Sequence, residues 1–497
     1  MSKDSAQSES GLFRRAGLLL ASAGFFAYFL WFTLDGLTSW FSDDDLMNLH
    51  NSLARIVLND TRDDFYFRPL PAIELAMQNA GIGSDLDRPM GLAFYRVFYA
   101  GWGFTAFPFR LAALLLLSAN LWLLFHVARR VSGSREAAWL TMILTGFHAS
   151  FASLYFDTGM IYDILAFFFY FGALGLYLRA RETGTPPGAW RIAQVLILFV
   201  AAMNSKQIAI TLPIAILLWE AARERPAGWR WLWGPGRTGV LALALAAAHA
   251  GRQFFGNELM QSHVGYRPDV SLAAYLSSAA KYLSQWTYGA VDPGAASMAG
   301  LLIALLGITA LLRRPPLLWA AGMILVAILP LAFIPPRGGY AFYLPAVFWA
   351  LWLAGFAVEL RRMAASWIGR WIPHAALASQ SLLLAGAALW LLPAHARLVR
   401  YPLAAIHEVQ ATNHRYHDQL LGVLPRLPRG AKVLVRNDPY PEGGFDASFL
   451  VRLTYEDMTI AVDRARFPWL AKREFHARDY DAALDFVDGR FVLIPRP

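Results

Sequence analysis

Ser42-Asp43-Asp44-Asp45 lies three or four residues past the end of the first apolar run of this 497-residue chain. Three adjacent carboxylates repel one another, which lifts at least one of them toward the range of a general base. They also offer the hard oxygen donors that a divalent cation takes, with Asp45 joining Asp43 and Asp44. The same four residues equally suit a helix start at 43–58, because Ser42 is a good N-cap and Asp in a first turn favours the macrodipole. No resident cofactor is implied beyond that cation. The chain has no cysteine, so thiolate metal sites, disulfides and thiol nucleophiles are excluded.

Cations for an anionic group lie at several separated places. Arg68, in Phe67-Arg68-Pro69-Leu70, has the planar fork that grips a phosphate, or it pairs with Asp63 or Asp64 in the same loop. Lys206, in Asn204-Ser205-Lys206-Gln207, and Arg337, in Arg337-Gly338-Gly339-Tyr340, both interrupt apolar sequence at its outer ends. Each reads as a snorkelling anchor or as one of several cations gathered on the acidic side. Asp157 and Asp163 flank the start of the fourth apolar run, where a carboxylate near hydrocarbon is costly enough to imply a task. His148 reads as a packed, hydrogen-bonded core histidine. His407, His414 and His417 share a helix face but lack a fourth metal ligand.

The elements that must position these groups are membrane helices. Apolar residues make up 57% of the chain and charged residues 16%, too little polar surface for a soluble protein of this length. Eleven apolar runs stand near 16–38, 108–128, 137–156, 160–178, 190–204, 207–222, 238–252, 296–312, 317–335, 340–360 and 374–393. The first follows Arg14 and Arg15 without a convincing cleavage site and reads as a retained signal anchor. Arginines punctuate every second loop: Arg129 and Arg130, Arg179 and Arg181, Arg223 and Arg225, Arg313 and Arg314, Arg361 and Arg362. By the positive-inside rule these loops and the N-terminus are cytoplasmic, and the C-terminal residues are outside. The net charge of +9 is thus a matter of topology. Residues 401–497 hold 13 basic and 13 acidic side chains, so nucleic acid is not a partner.

The fold expected is a polytopic α-helical membrane protein with about 11 transmembrane helices, a transmembrane domain over 1–400 and a small extracytoplasmic α/β domain over 401–497. The first outer loop, 39–107, is too long for a mere connector. Leu46, Leu49, Leu53, Ile56 and Val57 share one helical face, and Met90 to Trp102 is rich in aromatics, so both segments read as amphipathic helices at the bilayer surface. In the tail, Lys432 to Arg436 and Thr459 to Val462 read as strands and Ala447 to Tyr455 as a helix. Arginine-rich, lysine-poor usage favours a bacterial inner membrane. The sequon at Asn59 matters only in a eukaryotic secretory pathway.

The order of these pieces resembles the GT-C glycosyltransferases that use polyprenyl-phosphate sugars, in particular the branch of the protein O-mannosyltransferases. Phe41-Ser42-Asp43-Asp44 is similar to that family's outer-loop acidic motif, and Phe65 to Leu70 to its aromatic-Arg-Pro-Leu element. Phe107 to Phe125 resembles its second span, Asp163 to Ala166 the start of its fourth, Ser205 to Pro213 its Lys-Glu-x-Ala-x-x-Leu-Pro segment, and Tyr340 to Gly355 its late Tyr-Leu-Pro span. Gln207 stands where the family commonly has Glu, and tetratricopeptide repeats are absent. The resemblance implies a hexosyl or pentosyl transferase that moves a sugar from a polyprenyl phosphate to an acceptor hydroxyl on the extracytoplasmic face, inverting the anomeric carbon. It implies Asp43 or Asp44 as base, Arg68, Lys206 and Arg337 as ligands of the donor phosphate, and Asp157 and Asp163 as residues that orient acceptor or sugar. Its partners would be the lipid bilayer, the polyprenyl-phosphate-linked sugar and an acceptor that is a protein, a glycolipid or a polysaccharide.

Two other classes compete. A transporter or flippase would place ionisable groups near the membrane midplane, often in repeated halves, whereas the polar residues here gather at one face. Asn120 and His148 are the nearest exceptions. A ligase that transfers a whole lipid-linked glycan would share the chemistry but release a diphosphate.

Overall fold

The computed structural model describes residues 23–57, 88–224, 228–256, 268–368, 375–442, 444–466 and 474–495, without the side chains of 54–57, 252–256, 375–382 and 384. The described chain is mostly helical and ends in a small sheet. Each of the eleven apolar runs is helical over most of its described residues, with breaks at 147–148 and at 333–335. Among the described residues, five helices are long and apolar enough to cross a bilayer by themselves: Ala106–Ser132, Thr158–Arg181, Ala295–Leu312, Pro315–Ala332 and Gly339–Ile368. Arg135–Gly146 and Ala149–Phe156 make a sixth if the pair, bent by 60°, is one broken span. An 18-residue helix such as Ala295–Leu312 rises about 27 Å, close to the thickness of bilayer hydrocarbon. Ile303 and Leu311 on that helix remain 70% and 83% exposed, an apolar surface that suits lipid rather than water. The protein is integral to a membrane.

The chain divides into two compact units. One comprises residues 1–34, 115–152 and 163–402, the other 35–114, 153–162 and 403–497. In the first, Gly339–Ile368 lies at the centre, its apolar window 78% buried, packed on Pro315–Ala327 and Arg135–Gly146. Ion pairs link the arginine-bearing loops to one another. Arg181 meets Glu220 at 2.8 Å with both side chains buried, Arg361 meets Glu136 at 2.7 Å, Arg130 meets Glu182 at 2.9 Å, and Arg314 meets Glu359 at 3.0 Å. The alternate loops that carry the arginines therefore gather at one end of this unit.

In the second unit, the helix Asp43–Val57 packs against the aromatic helix Pro89–Trp102 and the tail-domain helix Asp446–Thr454. Leu46 and Leu49 are fully buried, so the apolar face read as a bilayer contact is here a protein core. Gly91 is required at the crossing, because a Cβ there would lie 2.1 Å from the ring of Tyr162. The tail sheet has the strand order β2-β1-β3-β4, with β1 Lys432–Arg436, β2 Ala461–Arg464, β3 Ala482–Val487 and β4 Arg490–Leu493. β1 runs parallel to β2 and β3, and helix Asp446–Thr454 supplies the β1-to-β2 crossover. β3 and β4 form a hairpin over Asp488 and Gly489, both at positive φ, the pairing that a tight two-residue turn demands.

Candidate active site

Ser42 caps helix Asp43–Val57 as its sequence suggests. Its Oγ accepts the Asp45 N–H at 3.1 Å, and Asp45 Oδ2 accepts the Ser42 N–H at 3.0 Å, a reciprocal box that ties down the turn. Asp45 is consumed by this arrangement. Fully buried, it also accepts from Arg110 Nη2 at 2.9 Å and from the Tyr95 hydroxyl at 3.1 Å. Arg110 is itself buried and donates to the Trp40 carbonyl as well. Capping and chemistry are thus divided: Asp45 holds the turn and Asp43 and Asp44 project from it.

Asp43 is half-buried and accepts from Asn413 Nδ2 at 2.8 Å. Desolvation pushes its carboxyl above the usual range, partly countered by Asn413 and reinforced by Asp45. Asp44 is the most exposed of the three. Its carboxyl is raised by partial desolvation and then by the charges of Asp45 and Asp43. Gly159 makes room for it, since a Cβ at that position would stand 2.5 Å from Asp44 Cβ.

Asp157 closes the site from below the turn. Its Oδ1 accepts from Ser42 Oγ at 2.7 Å and from the Gly159 N–H at 2.8 Å, which caps the short helix Thr158–Met160. Burial, followed by the charge of Asp45, pushes its carboxyl up to about 8. Asp446, at the start of its tail-domain helix, is raised to about 6, first by burial and then by Asp43. Among the described residues no group of three or more His, Asp or Glu converges to hold a metal ion. The acidic turn has spent one carboxylate on Arg110, which leaves the trio a poor cage for a divalent cation.

The remaining expected residues fall elsewhere. Asp163 and Lys206, both in the other unit, bind each other: Lys206 Nζ lies 2.6 Å from each Asp163 oxygen and 5.2 Å above the Tyr340 ring. Arg337 is partly buried, and its backbone N–H donates to the Tyr282 hydroxyl at 3.1 Å. Arg68, its neighbours Asp63 and Asp64, and the Asn59 sequon lie outside the described residues. The structure therefore brings Asp157 to Asp43 and Asp44, and joins Asp163 to Lys206. His148 is the packed histidine expected; its Nδ1 accepts the Ser150 N–H, so Nε2 donates to the Trp286 carbonyl at 2.6 Å. Asn120 donates to the Ile164 carbonyl. His407 packs on Phe156, His414 stacks on Trp40, and His417 bonds Thr454, three separate tasks.

Sequence reasoning missed Tyr95, Arg110, Asn413, Tyr440 and Asp446. Arg110 alone carried a usable signal, an ionisable residue just inside an apolar run. The others sit in polar or aromatic stretches with no diagnostic spacing.

Residues 87–250 match the model of the dolichyl-phosphate-mannose-protein mannosyltransferase family. The segment includes Arg110, Asp157, Asp163 and Lys206 and begins after the acidic turn. Over this segment the match bears out the resemblance read from the motifs. No curated protein is detectably similar in sequence to the chain. Among solved structures, ArnT from Cupriavidus metallidurans bound to undecaprenyl phosphate is similar at 14% identity and a TM-score of 0.47, over 96% of this chain and 97% of that one. The apo state of the same ArnT gives 14% identity and a TM-score of 0.43 over the same shares.

Proposed function

We propose that this protein is a glycosyltransferase that moves a sugar from a polyprenyl phosphate to an acceptor hydroxyl, at the outer face of a bacterial inner membrane, with its N-terminus cytoplasmic and residues 401–497 periplasmic. The observation that carries the reading is the division of labour in the acidic turn: Asp45 is paired with Arg110, while Asp44 is exposed with a raised carboxyl. Asp44 is the base. It removes the proton from the acceptor hydroxyl as that oxygen bonds to the anomeric carbon, and the bond from that carbon to the phosphate oxygen breaks, its electron pair leaving on the polyprenyl phosphate. Attack opposite the leaving phosphate inverts the anomeric carbon. Desolvation, then the charges of Asp45 and Asp43, keep the Asp44 carboxyl raised, as happens to carboxylates grouped in unequal surroundings.

Arg68, on the loop of the acidic turn, is the cation proposed for the leaving phosphate. The motif resemblance adds Arg337 and Lys206, the latter only by exchanging Asp163 for the phosphate. Asp157 is proposed to orient the acceptor, since it shares Ser42 with the turn. By the same resemblance Asp163 is proposed for the sugar.

The test is turnover by detergent-purified protein with a panel of polyprenyl-phosphate sugars and envelope extract as acceptor, followed by release of the lipid phosphate. Asp44→Asn is expected to lower the rate by about 10²–10⁴. No release from any donor overturns the proposal and favours transport, or transfer of a whole glycan from a diphosphate.

A further inference from the structure

The middle of the long helix Arg400–Val423 places Asn413 against the acidic turn, 1% exposed and with both sides of its amide engaged. One amide N–H reaches Asp43 Oδ1 at 2.8 Å and the other the Phe41 carbonyl at 3.3 Å. A backbone carbonyl only accepts, so the NH₂ group must face this side. Asn413 Oδ1 then faces the Tyr440 hydroxyl, which donates at 2.9 Å. Tyr440 is in turn held by the sheet. Its N–H donates to Asp438 Oδ1 at 3.2 Å, and Asp438 forms a wholly buried ion pair with Arg464 at the end of β2, whose Nη2 also reaches the Tyr440 carbonyl at 3.4 Å. An unbroken run of hydrogen bonds, buried as far as Asn413 and part-buried at Asp43, therefore joins the tail sheet to Asp43.

We propose that Asn413 is a positioning residue of the acidic turn, locked by Tyr440 so that its NH₂ group orients Asp43 and favours its ionised form. The small α/β domain thereby sets the charge state of the turn. This rests on the reading of that turn as the site of transfer. With Asp43 held as the anion, the proton that the turn takes up goes to Asp44. Other ionisable groups facing Asp43 are Asp44 and Asp45 on its own helix, Asp446 and Tyr440 from the tail domain, and Asp157 beneath the turn; Arg110 offsets Asp45, and Arg464 acts on Asp446. Only Asn413 donates a side-chain hydrogen bond to Asp43 among the described residues.

The experiment is an infrared titration of the carboxyl bands of the full chain in detergent, Asp43 being isolated as the difference from Asp43→Asn. Asn413→Leu removes the donor at similar volume, and Tyr440→Phe frees the amide to turn its oxygen toward Asp43. Both are expected to raise the Asp43 midpoint by about one pH unit or more. Tyr480→Phe, which loses a hydrogen bond to Asp463 elsewhere in the tail domain, is the control and leaves the midpoint in place. An unchanged midpoint in both Asn413→Leu and Tyr440→Phe overturns the proposal, as does an equal rise in Tyr480→Phe. The titration needs no substrate. Turnover without a shift removes the relay and leaves the transferase reading intact, whereas a shift without turnover does the reverse.

Discussion

At the start of helix Asp43–Val57 three carboxylates meet one guanidinium among the described residues, whereas Asp163 meets Lys206 one to one with both oxygens engaged. Both regions put acid near apolar helices, and composition does not tell them apart. The difference lies in charge balance. Lys206 matches Asp163 and engages both of its oxygens. The acidic turn carries an excess of negative charge that its surroundings only partly offset, and Asp43, Asp44 and Asp157 are all shifted upward. A structural ion pair minimises uncompensated charge, and a general base depends on keeping some.

The largest effect expected from this contrast is on Asp45. Arg110→Leu strands a buried carboxylate and is expected to cost about 3–5 kcal/mol of stability, read as a lowered thermal midpoint in detergent. Survival at the wild-type midpoint would remove Asp45 as the anchor of the turn. Gly159→Ala presses a methyl group against Asp44; the expected cost is about 1–3 kcal/mol, with a larger proportional loss of turnover because the base is displaced. In a double-mutant cycle, Asp163→Asn with Lys206→Met should give a coupling of about 0.5–3 kcal/mol. No coupling would mean that the pair is not the balanced contact that sets its region apart from the acidic turn.

A pH slope reads the same turn gradually, by at most about 1.4 kcal/mol per pH unit. Because the folded Asp157 keeps its proton up to about 8 while the unfolded chain loses it near 3.8, the folded state binds more protons between those values, and stability falls as pH rises through that window. Asp157→Asn should flatten this part of the curve. A wild-type slope retained in the variant would assign the effect to another group.

How much of this was legible in the sequence differs between the same two regions. Hydropathy exposed every apolar run, because a helix facing lipid has to be apolar along its length, as Ala295–Leu312 shows. Among the described residues, five or six of the runs meet span length. The acidic turn was legible because its chemistry is local: cap, first-turn acids and helix start within four residues. The partners that sort those acids are not local. Arg110 is 65 residues from Asp45 and Asn413 is 370 from Asp43, and no periodicity links such positions. The pairing of Asp163 with Lys206 was hidden in the same way, 43 residues apart. In the tail, β1 was read at its observed bounds, while β3 and β4 passed unnoticed although Asp488-Gly489 between apolar residues is a strong hairpin signal.

The central claim is that the two neighbouring carboxylates Asp44 and Asp45 do different work. Measuring turnover and thermal midpoint together for Asp44→Asn and Asp45→Asn tests it most directly. The account predicts that Asp44→Asn loses turnover by about 10²–10⁴ at an unchanged midpoint, while Asp45→Asn lowers the midpoint. Wild-type turnover in Asp44→Asn, with the loss falling instead on a stably folded Asp45→Asn, would contradict it.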